Sequence, residues 1–391
     1  MDKYKDIRPY NDDEVRPVLD RLLADDELIG AVGAYKFPKL IKTFPGLMRF
    51  ALKFVLSQQL KPVSNIRTLQ DIIEKYMSYM IKGSTTQFSV SGLENLKPGR
   101  AYLFMSNHRD IAMDPALVDY ALYHNGHQTV RIAIGDNLLT KPYVTDLMKL
   151  NKSFIVKRSV TGPKEVLKAF KLLSGYIYDS ITVDNHSIWI AQREGRAKDG
   201  IDKTEPAILK MFTVSKSKTE PFADYIKALH IVPVAISYEL DPCDASKAKE
   251  IYLKSAEGHY EKGAQEDIKS IAAGIAGNKG AVHVAFGKEL VEEHACAEDV
   301  AAAIDKQVIA NYVLHSSSFF AYKRLYGAYP QELCSAAQTP FVIENLKAEE
   351  DRFNERVDAV PVEWRETMLK MYANPISSKE QLRAVVTVTV S

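Results

Sequence analysis

Cysteine is scarce in this sequence. The three cysteines among 391 residues, Cys243, Cys296 and Cys334, are far apart and odd in number. They match neither the spacing of a zinc site nor that of a disulfide framework. We therefore exclude a small disulfide-stabilised scaffold, expect no metal site, and expect a reducing, cytoplasmic setting.

Long apolar runs and an excess of one charge are also missing. No run of about eighteen apolar, uncharged residues occurs, as a membrane-spanning helix requires, and the stretch Met1–Val15 is too polar for a secretory signal. The 51 Lys and Arg residues nearly cancel the 50 Asp and Glu residues. No global charge therefore favours nucleic acid as a partner, and any phosphate binding must come from local clusters of cations.

Short apolar runs alternate with helical patterns through the middle of the chain. The candidate strands are Phe88–Val90, Ala101–Met105, Val130–Ile134, Ser153–Val156, Ile188–Ala191, Ile231–Ser237 and Val282–Phe286. The candidate helices between them are Pro115–Tyr123, Lys141–Leu150, Lys164–Tyr178 and Pro206–Ser215. This alternation predicts an α/β fold with a mixed, mostly parallel sheet flanked by helices.

Helical patterns precede and follow this region. They cover Asp12–Lys82, Val300–Leu314 and Thr339–Met371, whereas Val385–Val390 alternates Val and Thr like a short strand. We therefore predict a helical N-terminal region (1–83), an α/β domain (84–291) and a helical C-terminal extension (292–391).

The segment Phe44–Leu60 is unusually apolar. Arg49, Lys53 and Ser57 are spaced four residues apart, so a helix would carry one narrow polar stripe and a broad apolar face. Flanking cations stand at Lys39, Lys42 and Lys61. This pattern predicts a helix that lies in a lipid interface with its cations near the headgroups. The alternative is a buried helix whose cations reach outward to solvent.

A polar loop containing His108 follows the predicted strand Ala101–Met105. It leads into a helix for which Pro115 would be the first residue and Asp114 the N-cap. Open α/β sheets bind ligands in such loops, and an imidazole can accept a proton from an alcohol when a carboxylate holds its other nitrogen. Asp114 and Asp110 are both candidates for that carboxylate. The alternative is a capped helix beside a structural histidine.

Two further strands end in cations. Ile188–Ala191 leads into Gln192-Arg193-Glu194-Gly195-Arg196-Ala197-Lys198, and Ser153–Val156 leads into Lys157 and Arg158. Guanidinium groups bind phosphate, and a glycine lets the backbone approach a ligand closely. Taken singly, each segment is equally typical of a solvated basic turn.

Taken together and in this order, these segments resemble the glycerolipid acyltransferase superfamily, which includes glycerol-3-phosphate and 1-acylglycerol-3-phosphate acyltransferases. That family carries His-x4-Asp, Phe-Ile-x-Arg and Glu-Gly-x-Arg motifs and an apolar strand with Val-Pro-Val. The similar segments here are His108–Asp114, Phe154–Arg158, Glu194–Arg196 and Val232–Val234. The resemblance covers Gly83 to Val291.

Three spacings depart from the family pattern. Five residues instead of four separate His108 from Asp114, which leaves Asp110 as a rival carboxylate. The second motif is one residue longer, so Lys157 and Arg158 compete for one role. The third lacks the residue between Gly and Arg. These departures indicate a divergent branch.

The resemblance implies that His108 is the general base and that Asp114 orients it. It implies that the acceptor phosphate is bound by Arg158, Arg193 and Arg196, with Lys157 and Lys198 assisting, while Glu194 orders the loop at Gly195 or contacts the acceptor. The donor would be acyl-CoA or acyl-carrier protein, with no further cofactor, and the acceptor 1-acylglycerol-3-phosphate. The alternatives are glycerol-3-phosphate or another lysolipid as acceptor, or a catalytically inactive lipid-binding relative.

The expected partners are the thioester donor, the phosphate-bearing acceptor and a membrane surface, and the expected location is peripheral, on the cytoplasmic membrane face. A protein kinase is excluded, although His108-Arg109-Asp110 resembles the start of its catalytic loop, because Pro115 stands where that loop needs Asn. A serine hydrolase is disfavoured because the sequence has no Gly-x-Ser-x-Gly motif.

Overall fold

The structure is a computed structural model that describes residues 2–263, 265–330 and 346–390. The chain forms two compact units, each built from two stretches of sequence. Unit 1 comprises Met1–Ser78 and Val130–Tyr176, and unit 2 comprises Tyr79–Thr129 and Ile177–Ser391. The three-part division by sequence pattern stays a prediction.

Seven strands occur among the described residues, and each overlaps a strand that the sequence predicts. They are β1 (Gln87–Ser91), β2 (Leu103–Ser106), β3 (Arg131–Gly135), β4 (Ser153–Val156), β5 (Ile188–Ala191), β6 (Ile231–Tyr238) and β7 (Ala281–Phe286). For β2, β5, β6 and β7 this agreement follows from burial, since strands inside a sheet have both faces covered. Strand β1 has no buried residue.

The helices of the described residues number sixteen. They are α1 (Asp12–Ala24), α2 (Asp26–Lys36), α3 (Pro38–Thr43), α4 (Pro45–Leu60), α5 (Ile66–Ser84), α6 (Met113–His124), α7 (Pro142–Leu150), α8 (Pro163–Thr182), α9 (Pro206–Phe212), α10 (Phe222–Ala228), α11 (Asp244–Glu257), α12 (Glu266–Ala276), α13 (Ala297–Asn311), α14 (Ser316–Tyr326), α15 (Lys347–Asp358) and α16 (Val362–Val390). Within the described ranges, none is long and apolar enough to cross a membrane.

Near the C-terminus the structure differs from one predicted element and describes only part of another. The strand predicted at Val385–Val390 is wrong, because α16 continues through Val390. Extending an existing helix gains one hydrogen bond per residue, which overrides the modest strand preference of Val and Thr. Part of the helix predicted at Thr339–Met371 lies outside the described residues.

Unit 2 contains a sheet in which the strand order is β1-β7-β6-β2-β5. All neighbouring strands in it run parallel except β6 and β7, which are antiparallel. Every residue of β2 and β6 is buried, and α13 packs against β6. This architecture confirms the predicted α/β class, with a mixed, mostly parallel sheet and helical extensions.

Unit 1 combines helices with the parallel strand pair β3 and β4. Its core is a cluster of apolar side chains, at Val15, Val18, Leu19, Leu22, Val63, Leu69 and Leu150. Helix α4 contributes little to this core, because Leu52 is the single buried residue along it. The alternative of a buried helix at Phe44–Leu60 is therefore wrong.

Candidate active site

The loop that follows β2 is anchored to the neighbouring strand β6. The side-chain Oδ1 of Asn107 accepts the backbone N–H of Ile236 at 2.8 Å, and its Nδ2 donates to the carbonyl of Ile236 at 3.0 Å. The amide thus continues the backbone pairing beyond the end of β2. His108 consequently leaves the sheet at its carboxyl edge, where parallel α/β sheets bind ligands.

His108 and Asp114 form a hydrogen-bonded pair. The imidazole Nδ1 lies 2.8 Å from Asp114 Oδ2, and the carboxylate is fully buried. Oδ2 also accepts the backbone N–H groups of Arg109 and Asp110 at 2.6 and 2.9 Å, while the Tyr238 hydroxyl donates to Oδ1 at 2.7 Å. Burial opposes ionisation, but these donors outweigh it and hold the pKa of Asp114 below its usual value.

This pairing determines which imidazole nitrogen is available. A carboxylate against Nδ1 keeps the proton there and leaves Nε2 as the basic atom. Within the described residues, His108 Nε2 has no hydrogen-bond partner. The Trp189 ring packs edge-on against the imidazole with 5.8 Å between ring centroids, and 15 % of the His108 side chain remains exposed. The geometry is that of an accessible, oriented base.

Asp110 has a different role in the same loop. Its Oδ1 accepts the backbone N–H groups of Ala112 and Met113 at 2.9 and 2.8 Å, at the start of α6. The prediction that Asp114 is the N-cap is therefore wrong, because α6 begins at Met113 and Asp114 lies in its first turn. The segment between His108 and Asp114 is one residue longer than in the family pattern. This extra residue leaves room for Asp110 to cap the helix while Asp114 still reaches His108.

The loop after β5 is joined to the His108 loop through its backbone. The N–H of Ala197 donates to the carbonyl of His108 at 2.8 Å. The buried guanidinium of Arg109 donates to the carbonyls of Ala197 and Gly200, both at 3.2 Å, and to Asp202 Oδ2 at 2.7 Å. Arg109 therefore holds the start and the end of the segment 197–202 in place beside His108.

The cations of this loop differ in how far they are already paired. Lys198 forms an ion pair with Glu250, and burial lowers its pKa. Arg193 Nε lies 3.8 Å from a carboxylate oxygen of Glu205. Arg196 Nη1 is buried and has no hydrogen-bond partner among the described residues. Arg193 Nε is likewise buried without a hydrogen-bond partner among the described residues, so both arginines retain an unused donor for an anionic ligand.

A comparison with known families identifies this region. Residues 87–237 match the family model described as Acyltransferase. These residues form an acyltransferase domain. The match spans His108, Asp114 and both cation segments, and it confirms the resemblance stated above.

A solved structure was also compared with the chain. The chain is similar to the crystal structure of the 1-acyl-sn-glycerophosphate (LPA) acyltransferase PlsC from Thermotoga maritima, with 13 % identity and a TM-score of 0.34. The alignment covers 75 % of this chain and 94 % of that one. No curated protein matches the chain.

Two predicted ligands of the acceptor phosphate lie in the part of this domain that belongs to unit 1. Lys157 and Arg158 directly follow β4, and both are exposed. The backbone N–H of Arg158 donates to Asp136 Oδ1 at 3.0 Å, which fixes the turn that carries both cations. Their role toward the acceptor stays a prediction.

Glycine at position 195 is explained by the backbone of the acyltransferase domain. Gly195 has φ +73°, the left-handed region in which side chains are strained, and no atom lies within 4 Å of the place where a Cβ would be. Glu194 and Gly195 are both exposed. Backbone geometry rather than crowding therefore requires the glycine.

Several residues that shape the site are not predicted by the sequence motifs. Tyr238 contacts Asp114 from the end of β6, and Asp202 pairs with Arg109 from the other loop. The available signal is positional, since Tyr238 ends an apolar strand on the same sheet edge as His108. That signal becomes useful only once the strand order is known.

Proposed function

We propose that this chain is a 1-acylglycerol-3-phosphate O-acyltransferase-like enzyme, which transfers a fatty acyl group from acyl-CoA or acyl-carrier protein to the acceptor hydroxyl. The observation that carries the proposal is the pair of His108 and Asp114, at 2.8 Å, with Nε2 of the imidazole unpartnered and a cationic loop beside it. The reaction would serve phospholipid biosynthesis. It would use the thioester as its donor and no further cofactor.

The chemistry assigned to His108 is general base catalysis. Nε2 accepts the proton of the acceptor hydroxyl as its oxygen attacks the thioester carbonyl carbon, and the negatively charged carboxylate of Asp114 stabilises the imidazolium. When the tetrahedral intermediate collapses, the carbon–sulfur bond breaks and the thiolate takes the proton from Nε2. An ester and a free thiol are formed, and no acyl-enzyme is needed. Backbone N–H groups at Gly195 or in the His108 loop are the proposed oxyanion donors.

The acceptor phosphate is assigned to the cations of the two loops. Arg196 and Arg193 have unsatisfied guanidinium nitrogens, and a guanidinium fits phosphate through its planar fork of donors. Lys157 and Arg158 are proposed as further ligands. Lys198, which pairs with Glu250, is assigned to ordering this loop together with Glu194.

The experiment is product analysis with radiolabelled oleoyl-CoA. Purified protein is incubated with 1-acylglycerol-3-phosphate or with glycerol-3-phosphate, and His108→Ala is measured alongside. Labelled phosphatidic acid from the wild-type protein, with a rate at least about 10²-fold lower in the variant, supports the proposal. Ester formation from glycerol-3-phosphate alone favours that acceptor. Absence of any ester, with acyl-carrier protein also tried as donor, supports an inactive lipid-binding relative.

A peripheral membrane location is the second part of this proposal, and it rests on exposed apolar side chains in unit 1. The segment from α3 to α4 exposes Phe37, Leu40, Phe44, Leu47, Phe50, Phe54 and Val55. Phe50 and Leu47 are 71 % and 68 % exposed. Contiguous apolar surface of this kind marks an interaction site.

The charge around this surface favours a bilayer of anionic lipid. Between Leu28 and Gln70 the sequence holds seven Lys and Arg residues and no Asp or Glu. Cations beside inserted aromatic and aliphatic side chains are typical of helices that lie in an anionic interface. A second copy of the chain is disfavoured as occupant because it would bring the two sets of cations together. The cytoplasmic membrane face is the location that we propose.

Vesicle sedimentation tests this part separately from catalysis. We expect the protein to bind vesicles that contain phosphatidylglycerol more tightly than pure phosphatidylcholine. Each buried phenylalanine contributes about 1.5–3 kcal/mol, so replacing both Phe50 and Phe54 by Asp should weaken binding at least about tenfold. Val362→Asp, at an apolar position of α16 that is 73 % exposed, is the matched control. Equal binding by both variants, or self-association in place of vesicle binding, contradicts the proposal.

A further inference from the structure

The carboxylate of Asp114 has two oxygens with unequal surroundings. Oδ2 receives the Nδ1–H of His108 and two backbone N–H groups, at 2.6 to 2.9 Å. Oδ1 has one donor among the described residues, the hydroxyl of Tyr238 at 2.7 Å. Tyr238 is the last residue of β6 and is itself buried. This hydroxyl therefore fixes the rotation of the carboxylate about its Cβ–Cγ bond from the side opposite the imidazole.

Other charged groups also act on this carboxylate. Asp110 lies four residues before Asp114, and the buried pair of Arg109 and Asp202 contributes one charge of each sign. Among these neighbours Tyr238 supplies a neutral donor, because burial and the nearby carboxylates raise its pKa well above its usual value. The phenol therefore keeps its proton through the neutral pH range.

We propose that Tyr238 is a positioning residue of the acyl transfer, which holds Asp114 against His108 Nδ1 and shares the carboxylate charge that stabilises the imidazolium. This inference rests on the proposed function of His108 as the base. It extends the pair to a chain of three groups: His108 in the loop after β2, Asp114 in the first turn of α6 and Tyr238 at the end of β6. The phenol acts through Asp114 and does not contact the reacting atoms.

Tyr238→Phe is the test variant, and the chain offers a matched control. Tyr372 is likewise buried, and its hydroxyl donates to a buried aspartate, Asp244 Oδ2, at the same distance of 2.7 Å. Tyr372→Phe therefore removes a phenol–carboxylate hydrogen bond of equal length that does not involve Asp114. Both variants should lose some stability. The loss in Tyr372→Phe should be at least as large, because the Tyr372 hydroxyl also accepts the backbone N–H of Asp241 at 2.9 Å.

The two variants should differ in the pH dependence of kcat. In Tyr238→Phe the phenol no longer shares the negative charge of Asp114, so the carboxylate stabilises the imidazolium more strongly. The acidic limb of the pH profile of kcat should therefore move to higher pH. We expect kcat at the wild-type optimum to fall about tenfold, with an unchanged KM for the thioester. Tyr372→Phe should keep the wild-type profile. An unmoved acidic limb in Tyr238→Phe, or an equal shift in both variants, overturns the inference.

A second readout does not depend on turnover. NMR titration of the imidazole protons, with the His108 resonance assigned by its loss in His108→Gln, measures the His108 pKa directly. A rise in Tyr238→Phe and none in Tyr372→Phe supports the positioning role even if no acyl transfer is found. An active wild-type protein whose His108 titrates identically in Tyr238→Phe contradicts this inference and leaves the proposed function intact.

Discussion

The two loops that meet at the candidate site differ in how far their residues are buried. In the loop after β2, all of residues 106–110 are buried except His108. In the loop after β5, Glu194 and Gly195 are exposed and Arg193 and Arg196 are half-buried. A general base needs one fixed orientation, whereas side chains that bind a phosphate tolerate adjustment. The difference indicates that rigidity is concentrated around His108, the proposed proton-transfer group.

Arg109 connects the two loops. It adjoins the base in sequence, and its guanidinium holds the carbonyls of Ala197 and Gly200. Its partner Asp202 is also held by Asn107 Nδ2 at 3.2 Å. A buried ion pair that loses one partner leaves an uncompensated charge. The ion pair of Arg109 and Asp202 therefore stabilises both loops. The N–H of Gln192 also donates to the carbonyl of Ser106 at 2.8 Å. The adjustable residues Glu194 and Gly195 thus lie between two attachments to the rigid loop.

The largest expected difference concerns the two carboxylates of the rigid loop. Asp114→Asn removes the charge that stabilises the imidazolium, so kcat should fall about 10²–10⁴-fold. Asp110→Asn should lower kcat by less than about tenfold, because that side chain caps α6 and does not contact His108. Steady-state kinetics of ester formation compares the two. Equal losses would mean that the loop needs both charges and would contradict the separate roles.

The next difference lies within the adjustable loop. Arg196→Ala should raise KM for the phosphate-bearing acceptor about tenfold or more, since a hydrogen bond to a charged group contributes about 1.5–3 kcal/mol. Lys198→Ala should change this KM by less than about threefold, because the ammonium already pairs with Glu250. KM for the thioester, measured in the same series, serves as control. A larger effect at Lys198 than at Arg196 would reverse the assignment of phosphate ligands.

The rigid loop should also impose a pH dependence on stability. The pKa of Asp114 is lower in the folded protein than its usual value of about 3.9. The carboxylate therefore contributes stability that is present above the unfolded pKa and is lost as pH falls through the folded pKa. Asp114→Asn should have a lower free energy of unfolding than wild type at neutral pH, and the difference between the two free energies should become smaller in acid. Urea unfolding from pH 7 to pH 3 measures it; a constant difference would contradict the assignment.

The smallest effect is expected at Gly195. An alanine there must adopt φ +73°, which costs roughly 1–2 kcal/mol of unfolding free energy. No clash adds to this cost because the surroundings of the Cβ position are open. Thermal unfolding of Gly195→Ala measures the loss. A loss several times larger would show that the adjustable loop is packed more tightly than its exposure indicates.

Local pattern accounts for what the sequence predicts correctly. Most of the strands are visible because buried strands are apolar, although β1 has no buried residue. His108 and Asp114 are close in sequence, on either side of the start of one helix. The sequence leaves open whether Asp110 or Asp114 pairs with His108, because the answer depends on the backbone conformation of the loop that joins β2 to α6. The contacts of Tyr238 with Asp114 and of Asp202 with Arg109 join residues 124 and 93 positions apart. They depend on strand order and loop path, which local pattern does not specify.

The central claim is that His108 and Asp114 act as one unit in acyl transfer. A double-mutant cycle on the rate of ester formation, with His108→Ala, Asp114→Asn and the double variant, tests it most directly. Once the base is removed, its orienting carboxylate has nothing left to orient, so we predict that the double variant is about as active as His108→Ala. If the two losses multiply instead, the residues contribute independently and the account of the site is wrong.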